Sequence, residues 1–422
     1  MHLTVDNGQL PMGWEIFKLG EVCQLDKFQS IHENLPYVGM ENIESNTARF
    51  IGSTESKSVK SSTFKFSTDH ILYARLRPYL NKVIAPEFEG HCSTEIFPIK
   101  PSKCLDRNFL LYWFLMDSTV GRINATCTGA RMPRANMNSV FEFKFPVPSL
   151  PEQKQIVAIL DEVFEGIDRA IANTEKNLAN ARELFESYLN AIFTQKGDGW
   201  EEKKLEKLAS KIGSGATPRG GQDAYKIEGI TLIRSLNVHD RRFKTKDLAY
   251  IDYEQAKKLA NVVVEEGDVL LNITGASIAR SCVAPSEYLP ARVNQHVSII
   301  RPDPNQISSH FLIYLITSKP YKERLLMTGD KAGATRQALT KAQIQDFSVH
   351  FPNLNEQELI VKKFDLLETE TQRLEAIYRQ KLAALQELKQ SILQKAFTGE
   401  LTADTGETLY KVNSLPSVVL VS

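Results

Sequence analysis

Two stretches of this chain place apolar or small residues three or four positions apart, with mostly polar residues between them. In the first they fall at Ile156, Leu160, Val163, Ile167, Ile171, Thr174, Leu178, Ala181, Phe185, Tyr188 and Ile192. In the second they fall at Ile360, Phe364, Leu367, Leu374, Tyr378, Leu382, Leu385, Leu388 and Ile392, with Thr371 as the weak point. That spacing is a coiled-coil seam, and it predicts two long amphipathic helices, neither able to cover its own stripe. Ser149 stands three residues before Glu152, and Asn353 three before Glu356, so each helix is expected to open on a reciprocal capping box. "KGDG" (Lys196 to Gly199) and Gly399 supply the stops.

The two stretches are copies. Pro148 to Thr194 aligns with Pro352 to Thr398 without a gap, and 17 of the 47 positions are identical. The repeat continues faintly outside the helices: "GWEIFKLGEV" from Gly13 answers "GWEEKKLEKL" from Gly199, and "FLLYWF" from Phe109 answers "FLIYLI" from Phe311. "HILYARLRPYLNKVIAP" from His70 answers "DVLLNITGASIARSCVAP" from Asp268. Short β-branched runs separated by glycine- and hydroxyl-rich turns predict mixed α/β modules with several short strands. The expected organisation is a module over 1–148, a helix over 149–197, a second module over 198–352, a second helix over 353–399 and a tail over 400–422. The fold class is α/β in the sense of α+β modules with long helices, the two pseudo-symmetric modules joined by helices that pair as an antiparallel coiled coil. The packing positions expected to carry that pairing are Ile156, Leu160, Val163, Leu178 and Phe185 against Ile360, Phe364, Leu367, Leu382 and Leu388.

Composition changes the picture in two places. The longest apolar run, Phe109 to Met116, has eight residues, far short of the ~18 a bilayer requires. With no basic-then-apolar leader pattern, the expectation is a cytoplasmic protein that does not engage membranes. Lys plus Arg equals Asp plus Glu at 51 each, yet the balance is +1 over 1–150, −3 over 151–197, +4 over 198–350 and −2 over 351–422. Positive charge therefore gathers in the modules. The five cysteines form no CxxC pair, which indicates neither a zinc knuckle nor a disulfide framework, and they are expected to be reduced core residues.

No catalytic, metal or cofactor constellation emerges. "IGSGATPRGG" fits neither a P-loop nor a dinucleotide fingerprint. The eight histidines contain no HExxH, and His91 beside Cys92 reads as packing. Asp303 and the Glu387/Lys389 pair are groups of the kind a metal nuclease would need, but the latter two sit on the expected coiled coil and read as a solvated helix face; an Asn-Pro-Pro-aromatic methyltransferase motif is absent.

The order module, helix, module, helix, with "LPEQ" opening one helix and "SILQKAFTGEL" (Ser391 to Leu401) closing the other, resembles the specificity subunit of type I restriction-modification systems. "GSGATPRGG" (Gly213 to Gly221), "ILYARLRPYLNK" and "LLNITGASIAR" are similar to sequences in that family's target-recognition domains; the first module lacks the "GATP" turn. The resemblance implies a non-catalytic subunit without cofactor or metal. Each recognition domain would read one half of a bipartite double-stranded DNA target. The helices would set the spacer and dock two modification (methyltransferase) subunits as well as restriction (translocase/endonuclease) subunits. A recognition subunit of a type IIB or orphan methyltransferase assembly has the same features, and a coiled-coil scaffold binding protein is the alternative from another class.

Basic and hydroxyl side chains beside turn residues are the candidate DNA contacts. In the first module these are Arg75 and Arg77, expected to alternate on one strand face before Pro78, then Lys82, Arg131 and Arg134. In the second they are Arg219, the Arg241-Arg242 step, Thr274, Ser277 and Arg280 around a glycine turn, and Thr335, Arg336 and Gln337. Arg and Gln suit bidentate reading of guanine and adenine edges, whereas Lys, Ser and Thr suit phosphates.

Overall fold

The computed structural model describes residues 11–129, 131–218, 220–330 and 338–403. The chain divides into two units, Met1–Glu175 with Gln380–Ser422, and Lys176–Arg379. Each contains one module and part of both long helices, which run over Leu150–Gln195 and Leu354–Thr398.

In the first unit the strands are β1 (Glu15–Lys18), β2 (Cys23–Leu25), β3 (Gln29–Ser30), β4 (Tyr37–Val38), β5 (Thr63–Phe66), β6 (Ile71–Ala74), β7 (Val83–Ile84), β8 (Gly90–Cys92), β9 (Ile96–Pro101) and β10 (Lys144–Val147). One sheet has the order β2-β9-β6-β7, a second β3-β5-β8-β4, and β1 pairs with β10. All four residues of β6 are buried, which is why it reads as an unbroken apolar run rather than an alternating one.

The second unit has β11 (Glu201–Lys204), β12 (Ala209–Ser214), β13 (Ile230–Ile233), β14 (Val238–His239), β15 (Arg242–Phe243), β16 (Ala249–Ile251), β17 (Val263–Val264), β18 (Val269–Asn272), β19 (Ser281–Val283), β20 (Ala291–Val293), β21 (Val297–Pro302) and β22 (Ser348–Phe351). Its first sheet, β12-β21-β18-β19, repeats the order of β2-β9-β6-β7, and β11 pairs with β22 as β1 does with β10. The second sheet, β16-β13-β20-β17, keeps a parallel pair (β13 with β20, as β4 with β8) flanked by an antiparallel one. The outer strand differs: β3 lies beside β5, whereas β16 lies beside β13.

The halves of the two long helices run antiparallel within each unit. In the first, Asp168 meets Lys389 (3.0 Å), while Glu152 accepts from Thr402 (3.1 Å). In the second, Arg182 makes two bonds to Glu375 (2.9 and 3.2 Å), and Tyr188 and Phe193 pack on Phe364. Ile156, Leu160, Phe185 and Phe364 are buried; Val163, Leu178, Ile360, Leu367 and Leu382 are half-buried. Leu388 differs from expectation. It is 46% exposed, because at that turn Leu385 and Ile392 pack on the core and Lys389 stands over the Phe164 ring (4.6 Å) with its ammonium on Asp168.

One pair of glutamines anchors module to helix in both units. Gln153, fully buried, accepts from the Asp106 amide (2.7 Å) and donates to the Cys104 and Pro148 carbonyls (2.9 and 2.8 Å). Gln357 does the same with the Ser308 amide and the Gln306 and Pro352 carbonyls. Asp106 and Ser308 cap the short apolar helices Arg107–Phe114 and Ser309–Thr317, so the anchor also fixes where those helices begin.

The capping boxes are only half as expected. Asn353 accepts from the Glu356 amide (3.1 Å), but Glu356 and Glu152 turn to tryptophans: Trp200 Nε1 donates to Glu356 (3.1 Å) and Trp14 Nε1 to Glu152 (3.0 Å). A buried indole must place its N–H on an acceptor, and that demand outweighs the reciprocal cap. Among the cysteines, Cys23, Cys92 and Cys282 are buried, while Cys104 is exposed and Cys127 half-buried. Burial pushes the Cys282 thiol up to about 12. His91 is a packing residue, held by Thr63 and the Lys57 carbonyl (both 2.9 Å).

Candidate nucleic-acid interface

In the first module three connections meet. The β6–β7 connection turns through a 3₁₀ helix at Pro78–Leu80, with Arg77 and Asn81 in the left-handed region on either side. Its amides and carbonyls bind the stretch after Gly129: Arg77 N–H donates to the Pro133 carbonyl (2.7 Å) and Ala135 N–H to the Arg75 carbonyl (2.9 Å). The β8–β9 connection contributes Glu95, whose carbonyl accepts from the Arg75 amide (2.9 Å). Arg75, Arg77, Arg131 and Arg134 are thus brought to one set of adjoining connections.

Two details depart from the sequence reading. Arg75 and Arg77 do not alternate along a strand, because β6 ends at Ala74 and Arg77 adopts φ 52°. Lys82 points inward and donates to the Met40 and Ile43 carbonyls (2.6 and 2.7 Å). With two of its three donors so engaged, it ties the connection to the scaffold. Glu95 was not anticipated from the sequence. It receives Arg134 through Nε and Nη2 (2.9 and 2.7 Å to Oε1) and Arg75 through Nε (3.1 Å to Oε2). The Arg134 hydrogen bond first, and the charges of both arginines, hold its carboxyl below the usual range.

The second module brings the corresponding connections together with other side chains. The β18–β19 connection turns through Gly275–Ser277, and Leu339 N–H donates to the Ile273 carbonyl (2.8 Å). Thr274 bonds His296 Nδ1 (2.7 Å) on the β20–β21 connection, and the neighbouring Gln295 accepts from Thr217 of the "GATP" loop. Gly215 makes that approach possible, since a Cβ there would lie 1.7 Å from the Val293 oxygen. Thr274, Ser277 and Arg280 therefore do share one turn.

Arg241 and Arg242 separate. Arg242 is exposed, but Arg241 is half-buried against the helices of its own unit: Nη2 donates to Glu186 (2.8 Å), Nη1 to Thr317 (3.3 Å), and the guanidinium covers Phe185 (4.9 Å). Its charge is consumed in fastening the β14–β15 turn to the helix. Arg219, Thr335, Arg336 and Gln337 lie outside the described residues. No group of His, Cys, Asp and Glu suited to a metal ion occurs among the described residues.

These two like-built faces agree with the comparisons. The family described as "Type I restriction modification DNA specificity domain" matches residues 11–179 and again 197–384. The chain belongs to this family. Among curated members, the type I restriction enzyme EcoDI specificity subunit of Escherichia coli is 28% identical over 44% of this chain, the match spanning 42% of that relative's length. The StySPI specificity subunit of Salmonella potsdam is 24% identical over 94% of this chain and 91% of its own. A solved chain from work on complex assembly and conformational transition of the type I R-M system superposes with a TM-score of 0.77 at 23% identity, covering 93% of this chain and 100% of that one. That likeness concerns the fold. As a specificity-domain protein with two copies, the chain has one face of this kind per copy.

Glu95 and His296 occupy the same place in the two copies. Both directly precede the long buried strand of the first sheet, β9 or β21, and in each the carbonyl accepts from the residue just after the partner strand, Arg75 or Ile273.

Proposed function

We propose that the chain is a non-catalytic subunit that confers sequence specificity on a DNA-modifying complex, its modules over 1–148 and 198–352 each reading one half of a bipartite target. The observation that carries this reading is the pairing of one scaffold with two side-chain sets. The two modules share the strand order of the first sheet and the backbone hydrogen bonds between the connections beside it, yet one face presents arginines around a carboxylate and the other hydroxyls, an imidazole and an amide. Such a scaffold holds different ligands without being rebuilt. Base edges reward that difference, because guanine and adenine call for different donor sets.

The long helices are proposed to set the unread spacer and to dock modification and restriction subunits. Leu184, Leu359 and Leu366 are 60%, 59% and 67% exposed on the helices of the second unit, more apolar surface than a helix facing water alone requires. A cytoplasmic setting accords with this role. No described helix is long and apolar enough to cross a membrane.

Mapping the sites modified in cells that express the chain together with a type I modification subunit tests both parts. The expected pattern is two fixed half-sites around a constant spacer. Seven residues inserted after Thr174 and after Tyr378 keep the seam and lengthen each helix by ~10 Å. At ~3.4 Å per base pair the preferred spacer grows by about three base pairs. An active variant that keeps the original spacer shows that the helices do not set it, and modification at a single continuous sequence refutes the bipartite reading.

A further inference from the structure

We propose that Arg75 reads a guanine in the half-site of the first module, and that Glu95 and Arg134 are positioning residues which fix its guanidinium for that contact. The inference rests on the DNA-recognition reading above and goes beyond it in naming the base and the residues that discriminate it.

The three residues are not equivalent donors. Each of the three nitrogens of Arg134 has a partner: Nε and Nη2 lie on Glu95, and Nη1 reaches the Met132 carbonyl (3.4 Å). Arg75 gives only Nε to Glu95 (3.1 Å), so its two Nη groups have no hydrogen-bond partner among the described residues. Its guanidinium is nonetheless immobilised. Phe97 lies beneath it at 4.8 Å, its amide donates to the Glu95 carbonyl and its own carbonyl accepts from Ala135 (both 2.9 Å). A third of the side chain stays exposed. A planar fork with free Nη groups, held on its Nε side, matches the O6 and N7 acceptors of guanine, and pre-organisation lowers the entropy lost on contact.

The second module shows that this cluster is not needed for the scaffold. The equivalent positions are Ile273 for Arg75, His296 for Glu95 and Ala338 for Arg134. They are fixed by matching interactions: Ile273 N–H to the His296 carbonyl (3.0 Å), Leu339 N–H to the Ile273 carbonyl (2.8 Å), and a Thr274–Ala338 bridge where the first module has Leu76–Arg134. The same backbone is built there without an ion pair at any of the three positions. All three differ together between the copies, as side chains serving one ligand contact would. The Arg134 hydrogen bond and the charges of both arginines favour the ionised form of Glu95, so the clamp is set at neutral pH.

The test is selection of sites from a random duplex DNA library by the full-length chain. The wild type is expected to return two half-sites, one with a fixed guanine that Arg75→Lys releases, since lysine keeps the charge but not the fork. Glu95→Gln should lower the preference at that guanine by at least about fivefold, leave the other half-site unchanged, and have no further effect in the Arg75→Lys background. Three outcomes overturn the inference: Arg75→Lys keeps the guanine, Glu95→Gln weakens every position of its half-site equally, or the two substitutions add. If Glu95→Gln fails to fold, Arg75→Lys alone decides. A wild type that returns no consensus overturns the DNA-recognition reading itself, and this inference with it.

Discussion

Arg241 is fastened by Glu186, Thr317 and the Phe185 ring, with Glu368 at 3.8 Å, and its side chain is only 15% exposed. Arg242, next in sequence, is exposed. Replacing Arg241 by Ala removes its hydrogen bonds to Glu186 and Thr317 and its packing on Phe185, and should cost about 1–3 kcal/mol of stability. Arg242→Ala should stay within about 0.5 kcal/mol. Urea titration of the two variants checks this; equal midpoints would show that Arg241 is no anchor. The residue scale is where sequence reading reaches least far. "RR" on a turn announces two surface charges, and nothing local says that one folds back onto a helix. Lys82 was hidden in the same way, its carbonyl partners lying 42 and 39 residues away. Glu95 is illegible for another reason: a carboxylate repels phosphate, and its role lies in organising two arginines that are distant from it in sequence.

The seam of the long helices makes a sharper statement at the scale of an element. Leu393 is 1% exposed and belongs to the core of the first unit, whereas Leu388, five residues before it, is 46% exposed. Leu393→Ala should cost about 2–5 kcal/mol, because the cavity cannot collapse around a buried leucine site. Leu388→Ala should change stability by less than about 0.5 kcal/mol. Chemical denaturation of both variants separates them, and a large loss at Leu388 would mean that it is covered by a partner or by another helix face. Helix identity and length were legible because the apolar period is strong over its whole extent, and antiparallel pairing followed from the repeat. The individual seam position at Leu388 was not legible, since heptad spacing drifts against 3.6 residues per turn and either of two neighbouring residues can fill the turn. The strand order of the modules lay deeper still. Strands of two to six residues, paired across large sequence separations, leave almost no local trace.

For the whole molecule, what matters is that two copies of one fold carry different faces. The repeat of sequence announced the two copies, and the same anchors recur in both: Gln153 with Gln357, Trp14 with Trp200, and Tyr112 with Tyr314, whose hydroxyls donate to Asp161 and Asp365 on the long helices. The connections at the two faces carry no such repeat of side chains: arginines around Glu95 in one copy are answered by Thr274, His296 and Gln295 in the other. If each module is an independent reader, function is separable by cutting at the helix starts. The measurement that tests this most directly is an exchange of residues 1–148 for the matching module of another family member, followed by genome-wide mapping of modified sites. The account predicts that one half of the modified sequence changes while the other half and the spacer stay as they were; a chimera that remains active but alters both halves, or neither, would contradict it.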